Sequence, residues 1–550
     1  MSDRTLTVID PRSSMAVSRA SVAARPSSLD RQRVLLLDNG KLDPSFGGYA
    51  AVFEVLRRVL VDDGHAVVES DTAHLLDHTL EDLRVLAEKI SGSGVAAAVL
   101  AMCDTGISMP TVVLATELEA RGVATVAVCH GIGYTTARAT VDRLLPGMPL
   151  VELRSDRTAP VDAVRAELLD GAADAVLRGL LASAESPTGT GSGRRSVPSR
   201  HLELPVDDAV AAFTVRLRES GFGDGLLFTP PTPERVAAMV AAMGEPADAE
   251  IWPALIPRGA PVTVEDIAVV AVMAGCTPVL GRLVLAAYRA MAEDEFRLFQ
   301  AAITTHPSGT LVLVSGPEAE RAGLVSGFGG MGPGNWANVA LGRAVALSYN
   351  LLLGVRPGAG DLSLQGSPAE FSYCVVENLA DSPWPGYHEQ LGAPSDTAVL
   401  VLKCEGPHNV LDNINTNARG VVSTVAHALH RVGLNNCYNP SAQTIVFLNP
   451  EHAKIVASDG WTVDDVRYFL YDTARSPRVD VLASGISPSW PSWFWAADRI
   501  PIVTSPNDII VVVTGAPGPQ SQVAVPWGYS RGVVEFVSGD SNSSRVGTDH

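Results

Sequence analysis

A cysteine and an aspartate stand where an apolar run ends, in the stretch AVLAMCDTGIS (98–108). A thiol at the start of a strand-to-helix loop lies near helical N–H groups, whose partial positive charge favours the thiolate, the form that acts as a nucleophile or metal ligand. Asp104 disfavours the thiolate unless the carboxylate is itself a ligand or proton partner. The spacing alone favours another interpretation, in which Cys103 is a small buried side chain and Asp104 caps the helix.

A second thiol, Cys129, is followed directly by His130 at the end of the next apolar run, VATVAVCHG (123–131). An imidazole beside a thiol can activate it as a nucleophile. The same two residues are as readily a buried strand residue and a loop residue, so both interpretations stay open. Cys129 would approach Cys103 if the two runs formed adjacent strands of one sheet.

The densest set of polar residues lies in two later segments, YCVVENLADSPWPGYHEQLG (373–392) and LVLKCEGPHNVLDNINTN (400–417). Imidazoles and carboxylates that converge from two loops suit acid–base chemistry or a transition metal. We predict such roles for four side chains: Glu377, His388, Glu405 and His408. The candidate cofactor, a divalent transition metal, would be bound by Glu377, His388 and His408. Because no compact motif such as H-E-x-x-H occurs, a hydrogen-bonded pair of loops, with Asn and Asp in turns, is an equal alternative.

Two glycine-rich stretches follow apolar runs and could face one cleft: GFGGMGPGNWAN (327–338) and VVVTGAPGPQSQ (511–522). Backbone N–H groups in the first could hold an anionic group. Neither stretch is a phosphate-binding loop of the Walker type or a good dinucleotide fingerprint, so no nucleotide cofactor is indicated. Close helix–sheet packing and plain turns explain the glycines equally well.

The elements that must position these residues are alternating strands and helices. RQRVLLLDNG (31–40), VAAAVLAM (95–102) and VATVAVCHG are buried strands separated by helical stretches, a pattern typical of a doubly wound, Rossmann-like parallel sheet. Ligands bind at the carboxyl ends of such strands, so we expect Asp38 and Asn39 to contact substrate. After residue 200, helices and strands alternate again, which predicts a larger α/β lobe.

The chain has 550 residues, too many for one ordinary core. Its composition predicts four parts: a disordered leader (1–30), an α/β domain (31–184), a Gly/Ser-rich linker (185–200) and a C-terminal α/β lobe (201–550).

Charge and cysteine usage exclude several classes of protein. The net charge is −19 and no cluster of Lys and Arg is evident, which argues against nucleic-acid binding. The six cysteines are widely spaced without a C-x-x-C motif, which fits a reducing cytoplasm. The leader lacks the apolar core of a signal peptide, and no apolar run reaches the ~18 residues that span a membrane. We therefore expect a cytoplasmic protein, a homodimer by default, that acts on a small molecule.

Three motifs in order, LLLDNGKLDP, AVLAMCDTGIS and ATELEARGVATVAVC, resemble the UGSC family of selenocysteine/cysteine proteins, and more distantly the selenoprotein B component of glycine, sarcosine and betaine reductases. The resemblance covers roughly residues 33–150. In those families a selenocysteine or cysteine follows the strand. That position falls here at Asp104 or, with a one-residue slip, at Cys103, while the family's second cysteine falls at Ile107 or a neighbour.

A later region, roughly residues 300–530, also resembles segments of UGSC-containing proteins. It shares a PGNxANxxxGRA helix, an EN…SPW…H loop, an EGPHN loop and PEHAxxxAxDGW. This second likeness implies a shared architecture rather than a named reaction. From these motifs and the UGSC-like loop we expect six further residues to contact substrate: Ser108, Asn335, Asn338, Arg343, Asn378 and Asn409.

The resemblance implies bond cleavage or exchange at carbon. Our leading hypothesis is an enzyme of specialised metabolism that makes or cleaves a C–S or C–N bond on a small polar metabolite. It would use the Cys103 thiolate with acid–base or ligand residues of the second lobe. Because the loop lacks a second thiol, lyase or transferase chemistry competes with reductase chemistry. The alternatives are a metal-dependent lyase or hydratase centred on the second lobe, beside a degenerate N-terminal domain, and a non-catalytic subunit of a reductase-like complex.

Overall fold

The N-terminal domain alternates strands and helices, as its sequence predicts. The computed structural model describes residues 5–13, 21–42, 49–62, 66–75, 78–104, 106–155, 159–181, 199–255, 258–484 and 490–538. The elements of this domain are β1 (Thr5–Ile9), β2 (Arg33–Asp38), α1 (Ala51–Asp62), β3 (Val67–Thr72), α2 (Leu80–Gly92), β4 (Ala97–Cys103), α3 (Ser108–Ala120), β5 (Ala124–His130), α4 (Gly131–Leu144), β6 (Leu150–Leu153), α5 (Val161–Glu167) and α6 (Ala173–Leu180).

Strands β2 to β6 form a parallel five-stranded sheet in the order β3-β2-β4-β5-β6. Helices cover both faces, because Leu35 and Leu37 enter one apolar cluster and Val34 and Leu36 enter another. The predicted doubly wound sheet is confirmed. Its strand order is the 2-1-3-4-5 arrangement, in which successive strands are added on one side of β2 and then on the other. Such sheets bind ligands where this order reverses, which here is between β2 and β4.

The predicted disordered leader is wrong for residues 5–13 and 21–30. Strand β1 pairs antiparallel with β7 (His201–Pro205), and Arg25 forms a buried ion pair with Glu119 at 2.7 Å. A five-residue strand whose partner lies far along the chain gives almost no local signal, which is why composition suggested disorder. Most of the predicted linker (185–198) lies outside the described residues.

A mainly helical layer follows β7. Its elements are α7 (Ala209–Glu219), α8 (Pro233–Met243), β8 (Glu250–Trp252), β9 (Val262–Thr263), α9 (Val264–Ala274), α10 (Gly281–Ala292) and α11 (Leu298–Ala302). Helix α9 begins at a capping box between Thr263 and Asp266. These helices share one apolar core with the N-terminal sheet, since Met109 and Val112 of α3 belong to the same cluster as Ile267. The predicted boundary near residue 200 therefore does not separate two cores.

The remaining chain forms two four-stranded sheets with helices outside them. The elements are β10 (Gly309–Ser315), α12 (Glu318–Arg321), α13 (Trp336–Ser348), β11 (Arg356–Pro357), β12 (Gly360–Asp361), β13 (Cys374–Val376), α14 (Tyr387–Gln390), β14 (Thr397–Cys404), β15 (His408–Leu411), α15 (Ala418–Leu429), α16 (Asn435–Tyr438), β16 (Thr444–Leu448), α17 (Pro450–Ser458), α18 (Val463–Thr473), β17 (Arg475–Pro477), α19 (Arg478–Ala483), β18 (Arg499–Pro501), β19 (Ile509–Val513), β20 (Gln520–Ala524) and β21 (Val533–Val537).

The sheets have the orders β13-β10-β14-β21 and β15-β20-β16-β19 and pack face to face. Leu311 and Leu313 meet Phe447 between them, while the alternate residues Val312 and Val314 face the helical layer. Helices α15, α17 and α18 cover the far side of the second sheet. The predicted larger α/β lobe is confirmed. Within the described ranges, no helix has both the length and the apolar character needed to cross a membrane.

Candidate functional site

The thiol pair, Cys103 and Cys129, lies at the carboxyl edge of the N-terminal sheet. The two residues end neighbouring parallel strands and are register partners. Adjacent strands run about 4.8 Å apart, which lies within the Cα separation that a disulfide spans. Both thiols are free and fully buried. Burial, together with the contact to Cys103, raises the pKa of Cys129 well above its ordinary value, which disfavours the Cys129 thiolate.

Three predicted substrate-binding residues near this pair hold the sheet corner together instead. Asn39 is fully buried; its Nδ2 donates to the carbonyl of Met102 at 2.9 Å, and its Oδ1 accepts the N–H of the same residue at 2.9 Å. Asp38 Oδ1 accepts three backbone N–H groups of its own loop. Ser108 donates to the carbonyl of Asp104 at 2.8 Å. Their hydrogen-bonding groups therefore serve the backbone turns at the ends of β2 and β4.

His130, the predicted imidazole partner of Cys129, precedes α4 and packs against Tyr49 with ring centroids 5.7 Å apart. Its Nδ1 is buried and forms no hydrogen bond with any described residue. Cys129 Sγ is directed instead to the carbonyl of Ala127, at 3.8 Å. Among the described residues, the thiol–imidazole hydrogen bond that the sequence suggested is not formed.

A cleft of about 470 Å³ opens in the second lobe at the carboxyl ends of β13, β16 and β19. We call it the amide cleft, because amide side chains lie on one wall, which is formed by three neighbouring strands. Asn409 of β15 lies opposite Gln522 of β20, and Gln522 lies opposite Phe447 of β16. Gln520 and Asn449 add two further amides. Asn409, a predicted substrate-binding residue, therefore lies in a cavity.

The two glycine-rich stretches line the amide cleft together, through residues 327, 329–332 and 514–516. Three asparagines predicted to bind substrate fix these loops. Asn338 exchanges hydrogen bonds with the backbone of Val325, at 2.9 and 2.8 Å. Asn335 donates to the carbonyl of Gly329 at 2.7 Å, and Asn378 donates to a carbonyl of the second loop at 2.9 Å. All three shape the cleft by holding its backbone.

Arg343, also predicted to bind substrate, has its charge neutralised within the fold. Its guanidinium forms a two-pronged ion pair with Asp224, at 2.7 and 3.0 Å, and donates to the carbonyl of Leu227 at 3.1 Å. It also lies over the ring of Phe228 at 5.2 Å. Because its charge is paired with Asp224 and its guanidinium group lies over Phe228, Arg343 joins α13 to the segment before α8.

A second cleft of about 600 Å³ shares Met331 and Pro407 with the amide cleft. We call it the histidine cleft, because His306 lines it and its Nε2 lies 3.0 Å from Oε1 of Glu405. Both side chains are partly exposed. With Nε2–H donated to the carboxylate, Nδ1 is left as a proton acceptor, and it makes no hydrogen bond with another described residue. Glu405, predicted as an acid–base residue, therefore has an imidazole partner that the sequence did not reveal.

A buried hydrogen-bonded chain joins Glu377, Ser315 and His388 at the carboxyl ends of β10 and β13. The Ser315 hydroxyl contacts Oε2 of Glu377 and lies 2.9 Å from Nδ1 of His388. Burial raises the pKa of Glu377 to about 7 and lowers the pKa of His388. One proton can therefore be held by Glu377 or by His388, because the Ser315 hydroxyl can donate to the carboxylate or to the imidazole. None of these three side chains lines the amide cleft or the histidine cleft.

Raising the pH from about 5 to about 7 should cost the protein about 2 kcal/mol of stability through Glu377. Folded Glu377 keeps its proton until about pH 7, whereas a carboxyl at the ordinary value of 4.5 has already lost it. The folded state binds more protons across this window, so stability falls as the pH rises. Glu377→Gln should flatten the dependence, measured by urea unfolding at both pH values. The exposed Glu320→Gln serves as control, and parallel curves for wild type and Glu377→Gln would contradict the assignment.

The three predicted metal ligands do not all share a hydrogen-bond partner in the structure. Alternate residues of a strand face opposite sides, so Asn409 lines the amide cleft while His408 accepts a hydrogen bond from Arg431 at 2.8 Å. Glu377 and His388 meet at Ser315 instead. Across the described part of the chain, no three His, Cys, Asp or Glu side chains are arranged to hold a metal ion.

Lys403 is a further ionisable residue that the sequence did not single out. It is buried in β14, and its ammonium lies 4.7 Å from the ring centroid of Tyr349. Burial lowers the pKa of Lys403 to about 8, against the opposing effect of Glu370 and Asp361. The feature of the sequence that could have identified Lys403 is a lysine inside an apolar run. Its aromatic contact and two nearby carboxylates account for a buried cation here.

The thiol pair and the two clefts are separate sites. Cys103 and Cys129 line neither cleft, and no hydrogen bond or ion pair between described residues joins them to Glu405 or His388. The helical layer, including Ile267, lies in the apolar core that contains the thiols. Neither cleft therefore combines Cys103 with the predicted acid–base residues of the second lobe.

The fold defines an α/β protein whose N-terminal part is a doubly wound parallel sheet with two thiols at its carboxyl edge. Residues 7–184 match the UGSC family, so this part of the chain is a UGSC family domain, as its motifs predicted. The match begins within β1 and ends before the residues that line the two clefts. No curated protein and no solved structure matches the chain.

Proposed function

We propose that the protein is an enzyme that makes or cleaves a carbon–heteroatom bond on a small polar metabolite, by acid–base chemistry in the neighbouring clefts of the second lobe. The observation that carries the proposal is the partly exposed His306–Glu405 pair at 3.0 Å, in a cavity that shares Met331 and Pro407 with the amide cleft. A carboxylate that accepts one ring N–H holds the other nitrogen as a proton acceptor, which is the arrangement of a general base.

The proposal divides the work between the two clefts. The amides of Asn409 and Gln522 would bind and orient the substrate, while His306 would remove or return a proton at the reacting carbon or heteroatom. Glu405 would fix the tautomer of His306 and stabilise the imidazolium formed when it accepts a proton. Met331 and Pro407, which line both clefts, lie where the two groups of residues meet.

A second candidate function is thiol–disulfide chemistry in the UGSC domain. It is favoured by the register pairing of Cys103 with Cys129, which supplies the second thiol that the loop itself lacks. Oxidation of the pair would pass two electrons to an external small disulfide, whose two sulfurs would leave as thiols. Full burial of both sulfurs opposes direct reaction with a substrate.

Substitution of Cys103 separates the two candidates. The full-length protein is incubated with a mixture of small polar metabolites, and substrate consumption is followed by mass spectrometry. Cys103→Ser should consume the same metabolite at nearly the wild-type rate. Cys276→Ser is the matched control, since Cys276 is also buried but lies outside the UGSC domain. Loss of consumption in Cys103→Ser alone, with an unchanged unfolding midpoint, would replace the acid–base proposal by the thiol candidate.

A further inference from the structure

The Glu405 carboxylate has one oxygen that the fold does not use. Its Oε1 lies 3.0 Å from Nε2 of His306. Its Oε2 forms no hydrogen bond with any described residue and retains accessible surface, in a side chain that is 29% exposed. Because Glu405 lines the histidine cleft, a ligand in that cleft can reach a charged acceptor.

The two clefts supply no cation to neutralise this carboxylate. Neither Lys nor Arg occurs among the described residues that line them. Lys403, two residues earlier in β14, is buried against the ring of Tyr349. Its charge is opposed by two carboxylates, Glu370 and Asp361. While His306 is neutral, the histidine cleft is therefore negatively charged, within a chain whose net charge is −19, and such a field attracts cations.

The rest of the histidine cleft is poor in hydrogen-bond donors. The Ser372 hydroxyl donates to the carbonyl of Val339 at 3.0 Å, which leaves the Ser367 hydroxyl as an uncharged donor. His306 Nδ1 is a second acceptor that retains accessible surface and has no partner in the described ranges. A ligand that complements this lining must itself be a donor. Three of the lining residues are prolines, which have no backbone N–H: Pro307, Pro368 and Pro407.

We infer that the histidine cleft binds the ammonium group of a small amine, that Oε2 of Glu405 accepts a hydrogen bond from it, and that the substrate is therefore an amine. The inference rests on the proposed function in taking His306 and Glu405 as the acid–base pair, and it adds the chemical class of the substrate. An ammonium group has three donors, and its hydrogen bond to a carboxylate is about twice as strong as an uncharged one. A ligand carboxylate would be repelled by the like charge of Glu405.

Three probes of similar shape test the inference on the full-length protein near neutral pH: benzylamine, which is then a cation, benzyl alcohol and benzoate. Dissociation constants are measured by ligand-observed NMR titration. Benzylamine should bind more tightly than either of the others by about fivefold or more. Glu405→Gln keeps the shape of the side chain and removes its charge, so it should abolish this preference. Glu320→Gln, which removes an exposed carboxylate outside both clefts, should retain it.

Two further results keep the outcomes distinct. His306→Asn should still prefer benzylamine, because it removes the base and leaves the Glu405 carboxylate charged. The ranking of the three probes on the wild-type protein decides the outcome even if Glu405→Gln fails to fold. The inference is overturned if benzyl alcohol or benzoate binds as tightly as benzylamine, if benzylamine does not bind, or if its preference survives in folded Glu405→Gln. The proposed function depends instead on turnover in His306→Asn, so the two can fail separately.

Discussion

Replacing His306 with asparagine should lower turnover by about 10²- to 10⁴-fold, the usual contribution of a general acid or base. Asparagine keeps a polar side chain of similar reach but cannot exchange a proton near neutral pH. The expected loss is in kcat, with little change in KM, since His306 lines the histidine cleft and not the amide wall. Steady-state kinetics on the metabolite that the wild-type enzyme consumes would measure both constants.

Two further variants, Glu405→Gln and His408→Asn, test the role assigned to His306. Glutamine at position 405 can still accept the Nε2–H of His306, so it should cause a smaller loss than His306→Asn and act mainly by removing the charge that stabilises imidazolium. His408 is an exposed histidine three residues after Glu405, but it is hydrogen-bonded to Arg431 outside both clefts. Its replacement should leave turnover unchanged. An inactive His408→Asn beside an active His306→Asn would refute the assignment.

Strand pairing explains why His306 escaped prediction from the sequence. Strand β10 runs antiparallel to β14 with Gly309 opposite Cys404, so the residue three before β10 lies beside the residue just after β14. Glu405 was predicted because it shares a segment with other polar residues, whereas its partner lies 99 positions earlier. Local spacing carries no information about such a register.

Alternation along a strand likewise separates Asn409 from His408. The sequence EGPHN presents both side chains as members of one polar loop, yet they belong to β15 and therefore face opposite sides. Asn409 enters the amide cleft, while His408 meets Arg431. Predicting this difference requires knowing that a strand begins at His408, and four residues with mixed exposure give a weak strand signal.

The parallel sheet, by contrast, follows directly from the sequence. Strands such as β4, AAVLAMC, are buried on both faces and therefore appear as unbroken apolar runs, so both their existence and their carboxyl ends can be located. The pairing of Cys103 with Cys129 then depends only on β4 and β5 being neighbours. The shared core beyond residue 200 was not predictable in this way, because no local pattern shows which helix faces meet.

Replacing Gly133 with alanine should destabilise the protein by about 3 kcal/mol or more, at the upper end of overpacking effects. Gly133 lies in the first turn of α4, and a Cβ atom there would overlap the carbonyl oxygen of Cys103 and lie 2.8 Å from Cα of Asp104. Both contacts are with backbone at the end of β4, which cannot rotate away as a flexible side chain can. Urea unfolding at constant pH would measure the loss.

Gly92→Ala is the matched control for this variant. Gly92 also lies in a helix, α2, but a Cβ atom there would meet nothing within 4 Å, so alanine should be neutral or stabilising by about 0.5–1 kcal/mol. Comparing the two variants separates the loss of stability caused by the close approach of α4 to Cys103 from the general effect of alanine on a helix. If Gly133→Ala unfolds at the same urea concentration as Gly92→Ala, then α4 does not press against Cys103. The corner that carries the thiol pair would then have room for a small ligand, which would favour the thiol chemistry of the UGSC domain over the acid–base proposal.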